Sequence, residues 1–130
     1  MTIHEMMHQV ALLARGNYRK NGDESVIEIP LPDQRKQVIY GKITDMQGDK
    51  VGLFYTPIGP MNEKIDLLKL LQLNSLLRYS RISIIHEGEI ALLATFDLHR
   101  TSVKECAPII QEVATLADEL EKILYGTDEA

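Results

Sequence analysis

Apolar residues recur at helical spacing from the start of the chain, with Ile3, Met6, Met7, Val10, Leu13 and Ala14 on one face. Thr2 followed by Glu5 has the spacing of a capping box, in which a hydroxyl and a carboxylate satisfy the free N–H groups of a first helical turn. Together they predict a helix to about Arg15, closed by Gly16-Asn17. The polar run Arg19 to Ser25 reads as a connecting loop. From Val26 to Leu31 the spacing changes to alternation, at Ile27, Ile29 and Leu31, which predicts a strand; Pro30 has no N–H for a ladder and so suggests a sheet edge. Pro32-Asp33 turns the chain into a second strand, Gln37 to Thr44. Met46-Gln47-Gly48-Asp49 turns it into a third, Val51 to Thr56.

Pro57, Gly59 and Pro60 are expected to end this meander, with Asn62 as N-cap of a helix to about Asn74. Arg81 to Ile85 and Ile90 to Leu98 predict two more strands about a turn at His86-Glu87-Gly88-Glu89. Ser102 with Glu105 repeats the capping-box spacing ahead of a long stripe: Val103, Cys106, Ile110, Val113, Ala117, Leu120 and Leu124. Pro108 should kink that helix or mark its true first turn, and Gly126 stands where a C-terminal cap belongs. The order is αβββαββα, a single α+β domain over residues 1–130 with an antiparallel sheet packed by helices.

Length agrees with one core, since 130 residues suffice for a single domain. One cysteine, Cys106, excludes an intrachain disulfide, and neither a membrane-spanning run nor a secretory leader is legible, so a cytoplasmic setting is expected. The net charge of −5 opposes the counterion-release attraction that drives binding to nucleic acid, and the few aromatics do not interleave with basic residues. Neither nucleic acid nor an anionic membrane is an expected partner.

The sharpest chemical motif is His4-Glu5-Met6-Met7-His8. It fits the H-E-x-x-H pattern, in which two histidines one turn apart hold zinc and the glutamate activates its water. At about 100° per residue, however, His4, Glu5 and His8 fall more than roughly 110° from the centre of the apolar face. They are expected to point away from the sheet, with no metal and no cofactor bound, and no spacing selects His86 or His99 as a third ligand. A metal-dependent hydrolase built on these residues stays open as an alternative, as does a domain that senses a small ligand. Cys106 lies on the core stripe of its helix and is expected to be an inert thiol. Asp97 and His99 suggest a polar pair at a strand end without a serine in a nucleophile elbow. Arg78 and Arg81 flank Tyr79 and would either solvate a strand or grip an anion. No catalytic set is complete, and a non-enzymatic role is expected.

Between Ile65 and Leu77, eight of thirteen residues are isoleucine or leucine. One sheet cannot cover that much apolar surface, so the predicted second helix is expected to meet another chain through Leu67, Leu70, Leu73 and Leu77 as well as its own core. The order of elements resembles that of type III secretion chaperones and the related YbjN-like proteins. The residues that carry the resemblance are Gln37-Val38, Leu68, Leu71, Leu73 and Asn74, and Ala117-Asp118 with Leu120-Glu121. The resemblance implies a small acidic homodimer that presents apolar surface to an extended segment of another protein, without catalysis.

Overall fold

The computed structural model describes residues 1–126. Helix α1 (Ile3–Ala14) is followed by four strands, β1 (Asn17–Asn21), β2 (Glu24–Pro30), β3 (Lys36–Met46) and β4 (Asp49–Pro60). A short helix α2 (Leu67–Asn74), strands β5 (Arg81–Ile85) and β6 (Glu89–Phe96), and the long helix α3 (Val103–Tyr125) complete it. The six strands form one antiparallel sheet in the order β1-β2-β3-β4-β6-β5.

Both predicted capping boxes close. The Thr2 hydroxyl accepts the Glu5 N–H and Glu5 returns to the Thr2 N–H; Ser102 and Glu105 do the same for α3. Helix α1 ends on Arg15 in the left-handed conformation, one residue before the expected Gly16-Asn17. Gly16 has a packing role: a Cβ there would lie 2.6 Å from the Glu28 carbonyl oxygen of β2.

Four expectations are corrected. The segment expected as a loop from Arg19 to Ser25 forms most of β1, a two-residue turn and the start of β2. Gly22 at φ +63° makes the turn between the paired Asn21 and Glu24. The strand was hidden because it is polar apart from Tyr18, a composition that suits an edge strand and deters pairing with other chains. Pro30 accordingly lies on an inner strand, past the last β1 partner, Glu28, so its missing N–H breaks no bond to β1. Strand β4 continues through Pro57 and Pro60 because its β3 pairing runs only from Met46↔Asp49 to Tyr40↔Tyr55; beyond it β4 pairs β6 alone, across a bulge at Pro57/Gly59. Helix α2 begins at Leu67, not after Asn62: Asp66 caps it by accepting the Lys69 N–H at 3.2 Å, while Asn62 accepts the Lys64 N–H in a separate turn. Pro108 lies inside α3, which runs on as one helix to its Gly126 cap.

Helices α1 and α3 lie side by side on one face of the sheet. Met6, Met7 and Val10 of α1 meet Ile27, Ile29, Ile39 and Phe54 of the sheet, and Ile110, Val113 and Ala117 of α3 close the layer, all with 2% exposure or less. Phe54 stacks on Phe96 at 4.4 Å between centroids. At the end of α3 the Tyr125 hydroxyl donates to the Pro60 carbonyl at 2.7 Å, tying the helix to β4.

Candidate protein-interaction site

The would-be zinc motif is taken up by structural contacts. Glu5 belongs to the capping box, whose hydrogen bonds to Thr2 hold its carboxyl below the usual range. His4 and His8 do not point away from the sheet as expected, because its β1–β2 end reaches past the buried face of α1: the Nδ1 of His4 lies 2.5 Å from the Ser25 hydroxyl on β2, and the His8 ring stacks on Tyr18 of β1 at 4.9 Å. Among the described residues no three His, Cys, Asp or Glu side chains stand close enough to hold a metal ion.

The other chemical candidates resolve in similar ways. Burial and then the charge of Glu105 push the Cys106 thiol up to about 12, so it stays protonated at neutral pH. The Asp97 carboxylate accepts the backbone N–H of His99 at 2.9 Å and shapes the turn into α3; no bond joins it to the His99 ring. Arg78 lies over the Tyr79 ring at 5.0 Å. The anion beside it is the protein's own. Glu112 of α3 accepts the backbone N–H groups of Arg78, Tyr79 and Ser80 and the Ser80 hydroxyl, at 2.8 to 2.9 Å. Burial raises the pKa of that carboxyl, but the Ser80 hydroxyl and the three N–H donors outweigh it and hold the group below its usual range. Sequence reasoning missed this contact because the partners lie more than thirty positions apart without any pattern linking them.

What remains is apolar surface. Helix α2 sits at the β5 end of the sheet, on the helical side, and buries one leucine well, Leu70 at 5% exposure. Leu73 and Leu77 pack partly against the core, whereas Leu67, Leu68, Leu71 and Leu76 are 48%, 65%, 66% and 77% exposed. Of the four residues expected to meet another chain, Leu67 is thus open, Leu73 and Leu77 are half-buried and Leu70 is core. Leu68, Leu71 and Leu76 add to the open face. Helix α2 is flanked by a cleft of about 300 Å³ against β5, which includes Ile84, and by a groove of about 670 Å³ against α3, which includes Pro108 and Leu116. The α2 side of the sheet ends in the edge strand β5, which carries Ile82, Ile84 and Ile85 after Arg81, with Ile84 half-exposed, where the opposite edge, β1, carries Arg19 and Lys20.

A second apolar surface was not foreseen. Among the described residues no helix packs on the other face of the sheet, and a cross-strand row of buried Val26 and half-buried Tyr40, Tyr55 and Leu93 runs along it, between Arg19 and Arg81 on the edges. Leu53 and Pro57 flank the row in a depression of about 450 Å³. Tyr40 and Tyr55 stack at 5.2 Å, the Lys42 ammonium lies 5.4 Å from the Tyr55 centroid, and the Tyr55 hydroxyl donates to Glu24. Burial, then Glu24, pushes that phenol above its usual range. An antiparallel sheet with one wet face ordinarily turns polar residues outward; this one does so at Glu24, Glu28, Lys42 and Thr95 but keeps an apolar row between them. The clue was present in β4 and β6, which are apolar at consecutive positions, Leu53-Phe54-Tyr55 and Ala91-Leu92-Leu93.

No protein-family model matches this chain, and no curated protein matches it in sequence. Among solved structures it matches the Yersinia pestis type III secretion chaperone SycH, crystallised in complex with a stable fragment of YscM2. The TM-score is 0.60 at 13% identity, over 91% of this chain and 96% of the matched one. The fold is that of the type III secretion chaperones. In this chaperone fold the described helices include none long and apolar enough to cross a membrane.

Proposed function

We propose that the chain is a non-enzymatic protein-binding domain that works in the cytoplasm as a homodimeric chaperone or regulatory adaptor, in the manner of secretion chaperones and YbjN-like proteins. The observation that carries the reading is the leucine surface where Leu67, Leu68 and Leu71 of α2, and Leu76 just beyond its end, remain open beside the edge strand β5. Exposed apolar surface of this kind marks interfaces, and an edge strand with a single charge, Arg81, and no proline offers a surface that a second copy can meet under a two-fold axis. The likeness to SycH, itself solved with a fragment of another protein bound, supports a second role for the uncovered sheet face: holding an extended segment of a partner.

Sedimentation equilibrium tests the dimer. Wild-type protein is expected to sediment as a dimer at micromolar concentration, and Leu71→Asp as a folded monomer with native circular dichroism. Leu70→Asp, which places a charge in the core, is expected to unfold the chain. A wild-type monomer at tens of micromolar would overturn the homodimer.

A further inference from the structure

Helix α2 has little to hold it. It spans eight residues with one well-buried leucine, and its strand neighbour is the edge strand β5. Two polar contacts at its C-terminal side fix it. The Asn74 side chain brackets Ile82 of β5, accepting its N–H at 2.6 Å and donating to its carbonyl at 3.3 Å. The second contact reaches across to α3: Glu112 Oε1 takes the Arg78 N–H at 2.9 Å, and Oε2 takes the Tyr79 N–H, the Ser80 N–H and the Ser80 hydroxyl, each at 2.8 Å. Three successive backbone N–H groups converging on one acceptor form an anion nest, and charge-assisted bonds of this length are the strong ones.

We propose that residues 78–80 are a carboxylate-binding site filled in cis by Glu112, and that Glu112 thereby positions the leucine face of α2 for its partner. The proposal rests on reading α2 as the docking face, and Glu112 is a positioning residue that does not itself enter the contact. The nest belongs to the connection that leads directly out of α2, so emptying it frees Leu76 and Leu77 and the last turn of the helix together. The site has a chemical signature that an ordinary packing contact lacks. Truncation of Glu112 leaves the donors in place with room for a small carboxylate from solution.

The test uses Glu112→Ala and Glu112→Gln, each in the wild-type chain and with Leu71→Asp, after circular dichroism has shown native helix content. Hydrogen exchange is followed in chloride and in acetate at equal ionic strength. In Glu112→Ala the N–H groups of Arg78, Tyr79 and Ser80 are expected to exchange at least about tenfold faster, the change expected for loss of a charge-assisted bond, and to recover in acetate. Glu112→Gln fills the same space with a neutral amide and is expected not to respond to acetate. Self-association of Glu112→Ala should weaken by about tenfold or more and be rescued by the same acetate. Unchanged exchange, or faster exchange without acetate rescue, would overturn the anion site. Rescue of exchange with no change in association would overturn the positioning role. The exchange experiment with Leu71→Asp stands whether or not the wild-type chain dimerises, so failure of the dimer and failure of the nest are read separately.

Discussion

A carboxylate that has lost most of its water keeps its charge only where donors replace that water, and Asp118 on α3 is so supplied. Its side chain is 10% exposed. Arg35 donates to it through Nε at 3.2 Å and Nη2 at 2.7 Å, and Lys122 lies 3.4 Å away on the next turn. Arg35 therefore pins the turn before β3 to α3, with the Gln37 amide donating to Thr56 and Glu121 beside it. The hydrogen bonds from Arg35, against a smaller effect of burial, hold the Asp118 carboxyl below its usual range. A depressed pKa contributes stability above the unfolded value, about 3.9, and that contribution is lost as pH falls through the lower folded value. Arg35→Ala should thus destabilise the protein by about 1–3 kcal/mol at pH 7. In urea titrations the gap between variant and wild type should narrow below about pH 3.5, where the wild type is losing the same interaction. An equal gap at both pH values would show that Arg35 acts through packing alone.

Among the elements, α2 and β1 show why part of this molecule was legible from its residues and part was not. Local signals carried well: both capping boxes, the Gly126 cap and the turn at His86-Glu87-Gly88 lie within a few residues of what they control. Helical geometry placed the H-E-x-x-H residues off the one buried face of α1, but it could not show that β2 and β1 reach round to His4 and His8 through Ser25 and Tyr18. Strand β1 was missed because an edge strand with one sheet neighbour can dispense with the apolar alternation that identifies inner strands, and only Asn21-Gly22 signalled the hairpin. Several leucines around α2 do stay open, but which of them face outward depends on the helix starting at Leu67 behind its Asp66 cap, about one turn after the start that Asn62 would have set. The joint between α1 and β1 makes a sharp test of the observed packing. Gly16→Ala would set a Cβ against the Glu28 carbonyl, an obstacle that no rotamer change removes, and should cost about 1–3 kcal/mol by the usual scale of overpacking. A change in thermal midpoint smaller than about 2 °C would show that α1 can retreat from β2 freely.

For the whole molecule, the decisive fact is that its two apolar surfaces lie on opposite sides of the sheet and meet only at β5, where Ile85 lines the outer depression. Helices α1 and α3 shield one face of the sheet, α2 and β5 form its leucine- and isoleucine-rich end, and the row Val26, Tyr40, Tyr55 and Leu93 occupies the opposite face. On the proposed reading, a second copy seated on α2 and the helical side of β5 leaves the middle of the outer sheet face of each copy free, and the dimer would carry two equivalent segment-binding faces. The two functions should then separate by mutation. Leu93→Glu places a charge in the middle of the outer row and is expected to leave the dimer intact, while Leu71→Asp is expected to break the dimer and leave the outer face in place. A photo-crosslinking residue substituted for Leu53, within the same depression, supplies the readout in the native host. Crosslinks to a partner segment should vanish with Leu93→Glu and persist, at one segment per chain, with Leu71→Asp. If Leu71→Asp removes the crosslinks as well, the segment lies across the junction of two copies, and the outer face of a single chain is not the binding unit.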